Sequence, residues 1–249
     1  MSLTLINVDL SQAELRSMAC LSGDPWLIGA LQEGQGDFFD QHLMPVAFPS
    51  ILQRFDSVDN YKDAEPVAHK EDRTKVKAVV YGLSFARGAK AIADSLKMPT
   101  AEAQTIIDNF LGKANVFAEW REDVKEAAIN PAKRDMLVSP FGRRFQSEII
   151  TTKNFAKVQR EALAFLPQAT ASDICLTTGI RIAPQLRSWG YNIFNIVHDA
   201  LMIEGPEDEA DTIIAYVINE MRQTGRMVFG DVVPFLADGS KGLSWSDLS

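Results

Sequence analysis

Cysteine is scarce in this sequence: there are two in 249 residues, Cys20 and Cys175. Two thiols so far apart make neither a disulfide framework nor a zinc-ligand spacing, and both read as small buried apolar side chains. Long apolar runs are missing as well. None approaches the ~20 residues that a membrane-spanning helix requires, so no membrane association is expected. The opening residues, MSLTLINVDL, lack the basic region and cleavage site of a secretory signal, and the expected location is the cytoplasm. Internal repeats and low-complexity tracts are absent, which leaves an ordinary globular composition. Positive charge is in deficit, with 25 Lys and Arg against 33 Asp and Glu and a net charge of −8. That balance weighs against a uniformly basic nucleic-acid binder.

The deficit is uneven. Residues 70–90 carry Lys70, Arg73, Lys75, Lys77, Arg87 and Lys90 against only Glu71 and Asp72. Residues 133–160 are basic again, through Lys133, Arg134, Arg143, Arg144, Lys153, Lys157 and Arg160, whereas the tail after Glu204 is acidic. Two local anion-binding surfaces on an acidic protein fit this pattern.

Residues 3–9 (LTLINVD) read as a buried strand ending in an acid. Ser11-Gln12-Ala13-Glu14 has the form of a capping box opening a helix to about Ser22, and Asp24-Pro25 opens another to about Glu33. Residues 35–66, with Pro45, Pro49 and Pro66, read as mixed structure including a loop. Helices are expected over 70–85, to Leu96, over 99–111 and over 114–128. Ser139-Pro140-Phe141-Gly142 is a turn between short extended pieces. A long helix over 153–187, bent near Pro167, precedes two β-branched runs around His198-Asp199, which read as a tight hairpin. A helix over 207–224 and a short strand with a tail around Trp245 complete the chain.

Two acids stand out, Asp9 at a strand end and Asp199 in the hairpin turn. If the two strands are neighbours, the carboxylates converge at one sheet edge and form a site for hard divalent cations. The bland alternative is a helix cap and a surface turn. On the helix after Lys70, Arg73, Lys77, Tyr81 and Phe85 recur every four residues as one slowly rotating stripe. Two cations followed by two aromatics suit a nucleoside triphosphate, but for the stripe alone an amphipathic helix with a solvated basic end and a buried aromatic end is the stronger reading. Gly82 leaves room beside Tyr81 for a ligand or another backbone.

Together these segments resemble the family A DNA polymerases, the bacterial DNA polymerase I group and its phage relatives. DLSQAELR resembles motif A, RTKVKAVVYG motif B and VHDA motif C, with FGRR and REALAFLPQATASD between them, in the family's order from about Leu5 to Glu204. The resemblance implies an α/β chain of α+β type. Its palm, residues 1–34 and 131–249, would carry the catalytic acids on a small antiparallel sheet. Its helical fingers, residues 35–130, would contain the motif B helix at 70–86. It implies that Asp9 and Asp199, helped by the backbone carbonyl of Leu10, ligate two Mg²⁺ ions, for which Mn²⁺ can substitute. Arg73 and Lys77 would grip the triphosphate, and Lys77 would also protonate the leaving pyrophosphate. Tyr81 would pack on the sugar and base beside Phe85, and Glu14 would exclude a ribose 2′-OH. Gln12 and Arg16 would organise the site. Gln168, Arg160, Arg143 and Arg144 would contact primer–template DNA, with His198 near the primer terminus. The implied function is template-directed transfer of deoxynucleotides to a primer 3′-OH in DNA replication, in the host cytoplasm if the source is a phage.

Departures from the pattern carry their own expectations. Ala200 follows Asp199 where the family usually has Glu. Phe85 replaces a Tyr and cannot hydrogen-bond Glu14, so another group must hold that carboxylate. Leu10 replaces Tyr, Ala164 replaces Asn, and Phe39 stands where many members have a phosphate-contacting His. The thumb, the first part of the palm and the exonuclease do not fit in this sequence. A second polypeptide supplying thumb and remaining palm is therefore expected, with an open sheet edge and apolar surface facing it. A fragment of a longer chain and a non-catalytic nucleic-acid-binding relative are the competing readings. A single-subunit RNA polymerase is disfavoured by Glu14 and Phe85, and a metal-dependent nuclease leaves the Arg–Lys–Tyr stripe unexplained.

Overall fold

A computed structural model of the chain describes residues 2–32 and 34–248. Strand β1 (Leu3–Leu10) leads into α1 (Ala13–Ser22) and α2 (Pro25–Ala30). Glu33, the expected end of the second helix, lies outside the described residues. A π-helical turn (Phe38–Leu43) runs into α3 (Met44–Ala47), α4 (Ser50–Phe55), α5 (Val58–Ala64) and α6 (Pro66–Ser84). Next come α7 (Ala89–Leu96), α8 (Thr100–Lys113), α9 (Asn115–Ile129) and the long α10 (Phe155–Ser188). The hairpin β2 (Asn192–Val197) and β3 (Ala200–Pro206), then α11 (Ala210–Phe229) and β4 (Ala237–Gly242), complete the fold. The class is α/β, mostly helical with one small antiparallel sheet, as expected. No helix among the described residues is long and apolar enough to cross a membrane.

The chain divides into two compact units. The first comprises Met1–Ser17, Ser139–Arg143 and Pro167–Ser249 and contains the whole sheet, in the order β2-β3-β1-β4. β1 is a strand because Ile6, Val8 and Leu10 alternate onto one buried face. Each fully buried aliphatic side chain there contributes about 1.5–3 kcal/mol. α11 packs on β1 and β4. At Gly205 a Cβ would lie 2.1 Å from the Tyr191 ring, so only glycine lets that buried ring lie flat on β3. Outer strand β2 leaves Phe194 and Ile196 exposed.

The second unit comprises Met18–Val138 and Arg144–Leu166. Asp24, fully buried, caps α2 by accepting the N–H groups of Trp26 and Leu27. Its other oxygen accepts the N–H of Phe117 at 3.0 Å and ties α2 to α9. Trp26, Phe38, Phe110 and Phe117 form an aromatic cluster beside this knot. A second core joins α9 to the first half of α10 through Val124, Ala127, Val158 and Leu163.

Several expectations need correction. Residues 35–66 are mixed but more helical than expected, short helices separated by non-helical residues at 35–37, 48–49, 56–57 and 65, because each proline sits at a helix start, where its missing N–H costs nothing. The extended pieces around Ser139–Gly142 pair only at Val138 and Arg144. The last helix begins at Ala210, after a 3₁₀ turn over Glu207–Glu209. The capping box at Ser11 does not form: its hydroxyl donates to Asp238 and not to its own helix. Cys175 is buried as expected, whereas Cys20 is only partly buried.

Candidate active site

β1 and β3 are neighbours, and Asp9 lies opposite Ala200 in their register. Asp199 occupies the two-residue turn between β2 and β3, where His198 takes a left-handed φ of 57°. The two carboxylates therefore meet at the end of the two central strands rather than on an outer strand. They lie close enough for each to shift the other's ionisation. The Leu10 N–H reaches the Asp199 carbonyl at 3.3 Å and fixes the junction. Neither acid forms an ion pair with a described side chain.

Burial lifts the Asp9 carboxyl to about 6, reinforced by the charge and hydrogen bond of Asp199 and by the charge of Asp238, against a lowering bond from the Leu10 N–H. Asp238 lies opposite Asp9 in the β1–β4 register. Asp199 is raised too, by burial first, with bonds from its own backbone and from Asp9 opposing. Like charges held this close, with no cation among them, suit a divalent metal. Among the described residues no set of three or more His, Cys, Asp or Glu could hold a metal ion. Two carboxylates nevertheless fit Mg²⁺, which keeps water and substrate phosphates as its other ligands.

Glu14, in the first turn of α1, is held by Gln168 of α10. Burial raises its carboxyl, and the hydrogen bond from Gln168 partly offsets the rise. This is the substitute partner that Phe85 requires, and it places Gln168 on Glu14. Both line an open cavity of about 460 Å³ with Ala171, Ser172, His198 and Asp199. On the other side of His198-Asp199, a cavity of about 450 Å³ is lined by Asp9, Asn7, Ala200 and Trp245. Gln12 takes a left-handed φ of 56°, and its Oε1 is buried without a partner. Arg16 is buried and donates to the carbonyls of Ser11 and Pro234, at 3.0 and 2.7 Å, so it braces the segment after Asp9.

In the second unit α6 carries Arg73, Lys77 and Tyr81 around one buried ring, Phe39. The Arg73 guanidinium and the Lys77 ammonium lie 5.7 and 5.2 Å from its centroid, and the Tyr81 ring lies 5.9 Å away. Arg73 also pairs with Asp37 and Asp40 at 2.9 and 2.8 Å. Phe85 ends the helix, partly exposed. Gly82 does admit a close neighbour, the Ile92 side chain of α7 and not a ligand.

The family profile described as DNA polymerase family A matches residues 1–247. This chain belongs to DNA polymerase family A. It is 29% identical over 212 residues to the thermostable DNA polymerase I of Thermus aquaticus, covering 84% of this chain and 23% of that protein. It is 28% identical over 249 residues to DNA polymerase I of Deinococcus radiodurans, covering 98% and 24%. The chain thus spans about a quarter of the length of these relatives. It also resembles the solved POL domain of Pol1 from M. smegmatis in complex with DNA primer-template and dNTP, with a TM-score of 0.78, 26% identity and coverage of 98% of this chain and 40% of that one.

Within this family A chain the expected basic contacts differ in their freedom. Arg143 is bound to Asp173 through two donors, at 3.2 and 2.5 Å, and Arg144 reaches Asp135 at 3.5 Å. Arg160 is exposed on α10. Ala200 is buried and forms part of a cavity wall, where a longer acid would reach toward Asp9. The sequence reading missed Asp238 and Ser172. Ser172 lies four residues beyond Gln168 on the same helix face, a spacing that points to it. Asp238 sits in ADGSKG, which carries no strand signal.

Proposed function

We propose that this chain is a catalytic region of a template-directed DNA polymerase, taking deoxynucleoside triphosphates and primer–template DNA. The carrying observation is the Asp9–Asp199 pair, two carboxylates brought together at the ends of the central strands, in a chain matched by the family over residues 1–247. The complex of the M. smegmatis protein with primer-template and dNTP supports the same substrates here. On this reading the sheet unit serves as palm, and residues 35–130 serve as fingers. Since the relatives extend far beyond the matched part, we propose that further polymerase segments, such as thumb and remaining palm on a second polypeptide, complete the enzyme.

Asp9 and Asp199 are the residues that would hold two Mg²⁺ ions, with the Leu10 carbonyl beside them. When bound, those ions would activate the primer hydroxyl and neutralise charge on the reacting phosphates. Arg73 and Lys77 place positive charge on the triphosphate, and Lys77 gives a proton to the departing pyrophosphate. Tyr81 packs on the incoming nucleotide. Glu14, held by Gln168, fills the space that a ribose 2′-OH needs.

Templated primer extension tests this reading, with the chain alone and supplemented by the missing polymerase segments. Extension dependent on Mg²⁺ and deoxynucleotides is expected, and Asp199→Ala should lower it about 10³-fold. Extension unaffected by Asp199→Ala, or absent from both preparations, sinks the proposal.

A further inference from the structure

Arg73 is not free to meet a phosphate. Its Nε donates to Asp40 at 2.8 Å and its Nη2 to Asp37 at 2.9 Å, while Nη1 has no partner among the described residues. The two acids are not equivalent. Asp37 caps the π-helical turn by accepting the Asp40 N–H at 2.9 Å, so it has a structural task. The Asp40 carboxylate has no capping task; it takes Arg73 and lies 3.4 Å from the buried His69 ring. Its side chain is 14% exposed, so this pair is shielded more than a surface ion pair.

The charge balance follows. Arg73 and Lys77 bring two positive charges around Phe39, and Asp37 and Asp40 bring two negative ones. A triphosphate entering this neutralised cluster gains little net attraction. To take Arg73 it must displace a carboxylate that then stays nearby and repels it.

We propose that Asp40 is an internal counter-anion which the incoming triphosphate must displace from Arg73, and that it sets how tightly this chain takes nucleotide. This rests on the reading of Arg73 as a triphosphate ligand. Asp40 thereby acts as a specificity-determining residue: anions that offer charge alone compete poorly with it, whereas a nucleotide adds stacking and pairing.

Isothermal titration of the full chain with dATP in Mg²⁺ buffer tests the proposal, with inorganic tripolyphosphate as a second probe. Asp40→Asn keeps shape and acceptor but removes the charge. It should tighten binding of both probes about five- to tenfold. Arg73→Ala should weaken binding, and in that background Asp40→Asn should tighten it by less than in the parent, because only the repulsion is left to remove. Thermal melting confirms that each variant is folded. No tightening in Asp40→Asn, including no binding by parent and variant alike, overturns the proposal. If Arg73→Ala still weakens binding in that case, the Arg73 reading survives; if Arg73→Ala leaves binding unchanged, both fall.

Discussion

Asp9 is kept at a site where it is unfavourable. It ionises near 3.8 in an unfolded chain and near 6 in the folded one. Between those values the folded protein holds a proton that the unfolded chain has released. Its contribution to stability is therefore full below about 3.8 and is lost as pH rises through 6. Asp9 keeps part of its surface in water, which makes the penalty smaller than the shift alone implies. In metal-free buffer Asp9→Asn should melt higher than the parent at pH 7.5, with the gap closing near pH 4. Adding Mg²⁺ should raise the parent's melting temperature and leave the variant nearly unmoved. Scanning calorimetry in EDTA and then in Mg²⁺ reads both; a gap constant across pH contradicts the assignment. The instability is of the kind that functional sites impose on a fold. Glu14 shows the same pattern: a half-buried acid, raised by burial, waits beside one amide from Gln168.

Helix α6 shows how an element is positioned for this chemistry. Val76, Val79, Val80 and Leu83 bury one face, and Gly82 lets α7 come close. A Cβ at Gly82 would lie 2.8 and 2.9 Å from the outer atoms of Ile92. Gly82→Ala gains about 1 kcal/mol in helix propensity but overpacks a filled contact by about 1–3 kcal/mol. A net loss is expected in urea unfolding, relieved by pairing the change with Ile92→Val. A gain in stability would show that the contact is slack. At this scale the sequence is legible where periodicity is strong. The alternation of β1, the β-branched runs of the hairpin and the four-residue stripe of α6 all form as their patterns direct. Where pattern and punctuation conflict, it misleads. Pro45, Pro49 and Pro66 suggest breaks, yet each starts a helix. β4 has no β-branched residue and exists because β1 offers it an edge. The buried tie from Asp24 to Phe117, across 93 positions, has no local signal at all.

Charge is the property of the whole chain that bears most on the proposed binding of DNA, and the net value of −8 hides its distribution. Much of the basic sequence is spent internally. Arg73, Lys75, Lys133, Arg143, Arg144 and Lys157 all pair with acids. In those basic runs Lys70, Arg87, Lys90, Arg134, Lys153 and Arg160 are exposed without a described partner. Cations that already lack a partner meet phosphates at least cost, so these six are the first contributors to the salt dependence of primer–template binding. If these six alone meet phosphates, the slope of log affinity against log salt should be about −5. Arg160→Ala should make the slope shallower by about 1. Arg143→Ala should leave the slope unchanged and lower stability, because it strands the buried Asp173 without its partner. Fluorescence anisotropy across a salt series, with melting curves for each variant, separates the two arginines. An Arg143→Ala slope that falls with that of Arg160→Ala would mean that Arg143 leaves Asp173 for DNA, and that the internal pair is a resting partner displaced by phosphate.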